Sequence, residues 1–316
     1  MAELPVVVIA DPIDRAAVEA LRAGPCRVVD ASAEPARLAE QLADASVLVV
    51  RSRTKVTAEL LRAAPALTLV ARAGVGVDNV DLAAAAERGV RVVNAPAAAT
   101  TSVAELTVAF YLLLVRGIVP AVASIKAGRR ERSAHGRELA GKTVGFVGYG
   151  RIAREVARRL EPFGTENIAF DPFVSAAVDG TEFVPWSTLL ARADIVSLHA
   201  ALTEENRHLL DAPAFAQMKP GAFLVNVARG ALVDQTALLA ALRSGRLAGA
   251  ALDVFEVEPP VDHELVKLPN VIATPHIGAM TTEGQGRAGS EIVEDVLRAL
   301  RGEPLRSLVA RPEARA

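Results

Sequence analysis

Short runs of β-branched and leucine residues alternate along this chain with alanine- and leucine-rich amphipathic stretches. That is the pattern of βα units around a parallel sheet, whose strands are covered on both faces and read as near-continuous apolar runs. In the first block "VVVIA" (6–10), "SVLVV" (46–50), "LTLVA" (67–71) and "VRVVN" (90–94) are predicted strands, forming one compact α/β unit that ends near Pro96. The texture then changes to a long apolar helix, "TTSVAELTVAFYLLLVRGI", with Ser102 and Glu105 in capping-box spacing at its start. A helix this apolar needs burial on more than one face. Gly128 and the charged stretch "RRERSAHGRELAG" read as a loop. A second βα series follows from 142 to about 278, with "TVGFV", "NIAF", "DIVSLH", "AFLVNV", "AGAALDV" and "NVIATP" as strands. The closing segment "TTEGQGRAGSEIVEDVLRAL" is a helix long enough to return to the first block. Boundaries are therefore expected near 96–100 and 285–290, with the first domain discontinuous.

Composition narrows the class. With 316 residues, 51% hydrophobic and 23% charged, the chain can bury a two-domain core. Lysine plus arginine (35) nearly balance aspartate plus glutamate (37), and there is no long basic run, so neither nucleic acid nor an anionic membrane is indicated as a partner. The single cysteine, Cys26, allows no intrachain disulfide and no thiolate metal cluster, which suits a reducing compartment. The start, "MAELPVVVIAD", reads as a first strand and not a signal peptide, and no apolar run approaches the roughly 18 residues of a membrane span. A cytoplasmic enzyme or binding protein is expected.

The strand "TVGFVG" leads into "GYGRIAREVARRL", placing Gly148, Gly150 and Ala153 in the G-x-G-x-x-G/A spacing. Glycines there permit a tight turn and close approach of a pyrophosphate, and the backbone N–H groups around Arg151 and Ile152 meet its charge. About 20 residues on, Asp171 ends the next strand, the place for a carboxylate on the ribose hydroxyls. A carboxylate repels a 2′-phosphate and "DPFVS" offers no arginine to accept one, so NAD is expected over NADP.

In "VNVARGALVDQTALLAAL" (225–242), Arg229 directly follows an apolar strand, just before a helix opening at Asp234. A guanidinium so close to a protein interior calls for an anionic partner, and the local sequence supplies none. Glu258 in "VEPP" and His276 in "TPHIG" also follow strand-like runs, at the carboxyl edge where open α/β sheets bind ligands. Taken singly, the arginine could be a structural ion pair, "EVEP" a solvated loop and the histidine a cap. No H-E-x-x-H or other metal-binding pattern and no nucleophile elbow is present.

Over roughly residues 5 to 300 the sequence resembles the D-isomer-specific 2-hydroxyacid dehydrogenases, nearest to the short-form phosphoglycerate dehydrogenases that lack an appended regulatory domain. The motifs that carry the resemblance are "RAGVGVDNVD", the nucleotide loop, "DIVSLHAALTEENRHLL", "MKPGAFLVNVARGALVD", "AGAALDVFEVEPP" and "TPHIGA". It implies two Rossmann-like or flavodoxin-like domains with parallel sheets and the active site in a cleft between them. Residues 1–98 with 288–316 would bind substrate, and 99–287 would bind NAD.

It further implies a role for each candidate. His276 would exchange a proton with the 2-oxygen of the substrate, Glu258 would orient and charge the imidazole, and Arg229 would hold the substrate carboxylate. Val75 and Gly76 would offer backbone N–H groups to the same carboxylate across the cleft. Asp253 would contact the nicotinamide amide, with Val227, Ala228 and Gly278 beside the cofactor. His199 and Ala200 would lie near the adenosine end, although a structural role for His199 stays equally open. A homodimer through the nucleotide domain and the 102–127 helix is implied.

The departures concern the substrate. Ala99 stands where an asparagine is expected and Leu106 where a histidine is expected, which removes polar groups. Arg51, Arg53 and Lys55, with Arg72, could still hold a phosphate, or could form a solvated basic edge. Oxidation of 3-phosphoglycerate to 3-phosphohydroxypyruvate, as in serine biosynthesis, is the leading expectation, with hydroxypyruvate or glyoxylate reduction the alternative. From another class, the resemblance admits an NAD-sensing protein like the C-terminal-binding-protein corepressors.

Overall fold

A computed structural model describes residues 4–129, 136–174, 177–260 and 263–309; part of the charged stretch read as a loop after Gly128 lies outside these residues. The chain forms two compact units, Met1–Ala99 with Ala279–Ala316, and Thr100–Gly278.

In the first unit, β1 (Val6–Ile9), β2 (Arg27–Asp30), β3 (Ala45–Val50), β4 (Leu69–Arg72) and β5 (Arg91–Val93) form a parallel sheet in the order β2-β1-β3-β4-β5. Strand β2, "RVVD", has no place among the strands predicted above. It is a short, partly exposed edge strand bracketed by charges, which weakens its apolar signal. The helix Thr282–Leu300 packs its Ala288, Ile292, Val293 and Val296 face into the core formed by Val7, Ile9, Leu69 and Ala71. Burial of each such valine or isoleucine contributes about 1.5–3 kcal/mol. Because the whole helix belongs to this unit, the chain returns at Ala279, ahead of the 285–290 region. After the helix, both carboxylate oxygens of buried Asp295 accept backbone N–H groups, from Arg306 and Ser307. This turns the tail back so that Leu308 bridges Val93 on the free edge of β5.

In the second unit, β6 (Thr143–Val147), β7 (Glu166–Phe170), β8 (Glu182–Phe183), β9 (Ile195–Leu198), β10 (Ala222–Asn226), β11 (Leu247–Leu252) and β12 (Val271–Ala273) form a parallel sheet in the order β12-β11-β10-β9-β6-β7-β8. This is the doubly wound arrangement, and its order reverses between β6 and β9. The register aligns the strand ends: Phe170, Val147, Leu198, Asn226, Leu252 and Ala273 pair in one row across six strands. Every loop that follows therefore starts at the same level of one sheet edge.

The long apolar segment is two helices, Thr100–Val115 and Ile118–Lys126, bent by 67° where Gly117 adopts the left-handed conformation (φ 58°). The first begins at Thr100, so Ser102 is a buried residue inside its first turn and not its cap. Its Phe110, Tyr111, Leu114 and Val115 lie on one face and enter the core with Phe146, Val156 and Phe223, while Leu112 and Leu113 on the other side are only partly buried. Among the described residues no single helix is long and apolar enough to cross a membrane.

Candidate active site

The nucleotide loop follows β6 at the point where the strand order reverses. Gly148 has φ +81°, and a Cβ there would lie 2.7 Å from the backbone N and Cα of Ala200, so the loops after β6 and β9 touch backbone to backbone. Gly150 precedes the helix Arg151–Leu160, and a Cβ on it would meet nothing within 4 Å. The first-turn N–H groups, those of Arg151 and Ile152 included, have no partner within the helix. Ala153 is fully buried against the sheet.

Asp171 lies just beyond β7, with Oδ2 accepting the Tyr149 N–H at 2.8 Å and Oδ1 the Phe173 N–H at 2.9 Å. Each oxygen keeps a lone pair for a hydroxyl. His199 follows β9; its Nε2 lies 2.9 Å from Ser197 Oγ, and its Nδ1 is buried without a hydrogen-bond partner. Burial pushes its pKa down to about 3, so the ring stays neutral. An open glycine turn, a helix N-terminus, a half-used carboxylate and an orphaned imidazole nitrogen together fit a dinucleotide.

Arg229, Glu258 and His276 follow β10, β11 and β12. Asn226, the last residue of β10 and 1% exposed, accepts the Ala228 N–H at 3.0 Å and donates to the Arg229 carbonyl at 2.9 Å. Arg229 Nη1 also donates to the Ala228 carbonyl at 2.7 Å. The next residue, Gly230, sits against the segment that carries Glu258: a Cβ there would lie 1.9 Å from the Phe255 carbonyl carbon. Asp234 caps the following helix through the N–H groups of Thr236 and Ala237, as its position suggested.

Glu258 Oε1 accepts the Phe255 N–H at 3.1 Å, and Oε2 lies 2.9 Å from His276 Nδ1. Burial raises the Glu258 pKa, but the hydrogen bonds from His276 and Phe255 and the charges of His276 and Arg229 outweigh it, leaving it below the usual carboxylate value. The His276 pKa is raised, chiefly by the Glu258 hydrogen bond against the opposing effect of burial, with the charges of Glu258 and Asp253 adding to it. Arg229 pulls the other way, close enough for its charge to bear on both partners.

His276 has φ +55°, a left-handed conformation that costs a non-glycine residue of order 1 kcal/mol. Asp253 holds it there. Its carboxylate accepts from Thr274 Oγ1 (2.6 Å), Ile277 N–H (2.8 Å) and Gly278 N–H (2.8 Å), and its carbonyl accepts the His276 N–H (2.9 Å). Three of the four lone-pair positions of the carboxylate are thus used on the histidine loop, as is the N–H of Gly278. The N–H of Ala228 is likewise taken up by Asn226, and Val227 packs on the core. Asn226, Gly230 and this use of Asp253 were not foreseen; a lone polar residue ending "AFLVN" is the only sequence signal of the first.

In the first unit Asp11 is 1% exposed and gathers the loop after β3. It accepts from Thr54 Oγ1 (2.6 Å), Thr54 N–H, Arg51 N–H and Arg53 Nε. Arg53 also donates to the Ala10 and Ser32 carbonyls at 2.8 Å, while half of its side chain stays exposed. Arg51 Nη1 donates to the Pro12 carbonyl at 3.3 Å and Nη2 lies 3.5 Å from Met280 Sδ. Arg72 folds over Gly74. In the same loop the carbonyls of Gly74 and Val75 are held by the Ala95 N–H and Asn94 Nδ2, and half-buried Gly76 follows.

Comparison with known proteins supplies the wider context. Residues 108–278 match the family described as "D-isomer specific 2-hydroxyacid dehydrogenase, NAD binding domain". The chain is 43% identical over 295 residues to the hydroxypyruvate reductase of Thermotoga maritima, covering 92% of this chain and 96% of that protein. It is 48% identical over 306 residues to the D-3-phosphoglycerate dehydrogenase of Mycobacterium leprae, covering 95% of this chain but only 58% of that protein. Among solved structures, the NAD-dependent formate dehydrogenase of Staphylococcus aureus in complex with NAD is similar with a TM-score of 0.87 and 31% identity, covering 97% and 99% of the two chains.

Proposed function

The chain belongs to the D-isomer-specific 2-hydroxyacid dehydrogenases, and from that premise we propose that it moves hydride between NAD and C2 of a small D-2-hydroxyacid, with 3-phosphoglycerate as the first substrate assigned. The observation that carries the reading is the 2.9 Å His276–Glu258 pair, set beside Arg229 on the sheet edge that also bears the nucleotide loop.

NAD, when bound, supplies the hydride acceptor or donor. Gly148, Gly150 and the N–H groups of Arg151 and Ile152 are the proposed pyrophosphate cradle, with Asp171 on the ribose hydroxyls and His199 Nδ1 and Ala200 facing the cofactor. Asp253, Val227, Ala228 and Gly278 are proposed at the nicotinamide end, where Asp253 Oδ2 has one acceptor position left. Because His276 Nδ1 is committed to Glu258, Nε2 is the nitrogen that exchanges a proton with the substrate oxygen. In keto-acid reduction the imidazolium gives that proton to the carbonyl oxygen; in oxidation the neutral ring takes it from the hydroxyl. Glu258 stabilises the charged ring in either direction. Arg229 holds the carboxylate with its planar fork and draws electron density from the neighbouring carbonyl. Val75 and Gly76 are proposed backbone donors to the same group.

For a phosphorylated substrate the proposed phosphate ligand is Arg51. A second reading, reduction of hydroxypyruvate or glyoxylate, is favoured by the engagement of Arg53 with Asp11 and the Ala10 and Ser32 carbonyls and by the apolar Ala99 and Leu106. The test is NADH formation at alkaline pH from 3-phosphoglycerate, glycerate and lactate, and NADH consumption with hydroxypyruvate and glyoxylate, for the wild type and His276→Ala. A strong preference for 3-phosphoglycerate that His276→Ala abolishes supports the first assignment. NADH binding without turnover of any acid overturns the enzyme reading in favour of an NAD sensor.

We also propose a homodimer. Ile118, Val119, Val122 and Ile125 form one exposed apolar face of the helix Ile118–Lys126, and a second copy is the partner proposed for it.

A further inference from the structure

The turn that presents Arg229 is built around one buried side chain. Asn226 ends β10 in the interior, 1% exposed, yet it spends nothing on the neighbouring strands beyond its backbone. Its carboxamide reaches forward instead and closes a ring around the next three residues, with Oδ1 on the Ala228 N–H (3.0 Å) and Nδ2 on the Arg229 carbonyl (2.9 Å). The residue before Arg229 is thereby tied at its N–H and Arg229 itself at its carbonyl, and the same short turn lets Nη1 fold back to the Ala228 carbonyl (2.7 Å).

We infer that Asn226 is a positioning residue for substrate recognition: it aims the Arg229 fork at the substrate carboxylate and touches neither substrate nor cofactor itself. The inference rests on the assignment of Arg229 to that carboxylate. Only an amide of this length serves both ends. Aspartate keeps the acceptor for Ala228 but turns an oxygen toward the Arg229 carbonyl, and alanine removes both bonds. A shorter side chain cannot span the turn. A bidentate contact is sensitive to such a change, because a fork rotated by a few tens of degrees presents one N–H where two are needed.

The experiment uses oxamate, an unreactive 2-keto-acid mimic, on the NADH complex of the full chain, with NADH fluorescence reporting both steps. Asn226→Ala and Asn226→Asp are compared with wild type in two backgrounds, native and Arg229→Lys. The expected result is that each Asn226 variant binds NADH within twofold of wild type but weakens oxamate at least tenfold in the native background, and no more than twofold in Arg229→Lys. Retained NADH binding certifies that the second unit has folded, and the near-isosteric Asn226→Asp serves if Asn226→Ala does not fold. Equal weakening of oxamate in both backgrounds, or loss of NADH affinity in parallel with oxamate, overturns the inference and leaves Asn226 a structural residue. If Arg229→Lys itself leaves oxamate affinity unchanged, the Arg229 assignment fails first and the inference falls with it.

Discussion

His276 Nδ1 lies 2.9 Å from Glu258 Oε2, although the two residues belong to loops after different strands and His276 holds a left-handed backbone. The carboxylate faces one ring nitrogen, which leaves Nε2 for the proposed proton exchange. It also raises the imidazole pKa and is itself held below its usual value.

The sign of the pH dependence follows. Protonated His276 persists above the ordinary histidine range, so keto-acid reduction is lost as pH rises through the raised pKa, and hydroxyacid oxidation grows over the same interval. Glu258→Gln removes the charge that favours the imidazolium, so the alkaline limb of kcat/KM for reduction moves to lower pH. Steady-state profiles from pH 5 to 10 check this; a limb that stays in place counts against the pairing.

Gly230 couples the arginine and glutamate loops. Gly230→Ala would place a methyl 2.1 Å from the Phe255 carbonyl oxygen and 2.4 Å from the Glu256 nitrogen, and backbone cannot yield there without moving Glu258. The expected outcome is a loss of about 1–3 kcal/mol in stability and at least a tenfold loss in kcat/KM, with NADH affinity within twofold of wild type. Denaturant unfolding, kinetics and fluorescence titration measure the three quantities.

Asp171 anchors its own loop as well as the proposed ribose. Asp171→Ala removes two backbone N–H bonds to a carboxylate, each worth about 1.5–3 kcal/mol, and lifts the repulsion of a 2′-phosphate. NADH affinity should fall at least tenfold while the preference for NADH over NADPH narrows. Parallel titrations with both nucleotides decide it.

The two arginines after β3 should behave differently. Arg53→Ala strips partners from Asp11 and from the Ala10 and Ser32 carbonyls and should lower the melting temperature by several degrees. Arg51→Ala should leave stability nearly unchanged and raise KM for 3-phosphoglycerate much more than KM for hydroxypyruvate. Equal KM effects on both acids would remove Arg51 as a phosphate ligand.

The proposed dimer predicts that Ile125→Lys, at a position 66% exposed in the single chain, shifts the sedimenting mass toward the monomer while far-UV circular dichroism stays native. A wild-type monomer at micromolar concentration would refute it.

How much of this was legible in the sequence depends on the range of the interaction. The βα alternation, the nucleotide loop, Asp171 and the positions of Arg229, Glu258 and His276 after successive strands could be read directly. Parallel strands buried on both faces advertise themselves as apolar runs, and parallel pairing sends every following loop to the same edge. Local signals also settled the cap at Asp234. Where burial outweighed local propensity, the reading failed. Ser102 carries a capping signature but lies inside a buried turn, and a 102–127 helix that looks continuous breaks at Gly117.

Other features have no sequence signal because they depend on which loops meet. The shared register of six strand ends, the near contact of Gly230 with Phe255, and the diversion of Arg53 to Asp11 are of this kind. So are two ties around the proposed site, Asp253 on the histidine loop and Asn226 around the arginine turn. Strand periodicity and chain order are local properties, and they suffice to say which chemical groups reach the sheet edge. Which of those groups stay open and which are taken up by their neighbours depends on the packed fold, because a buried donor or acceptor is satisfied by whatever the folded neighbours bring within about 3 Å.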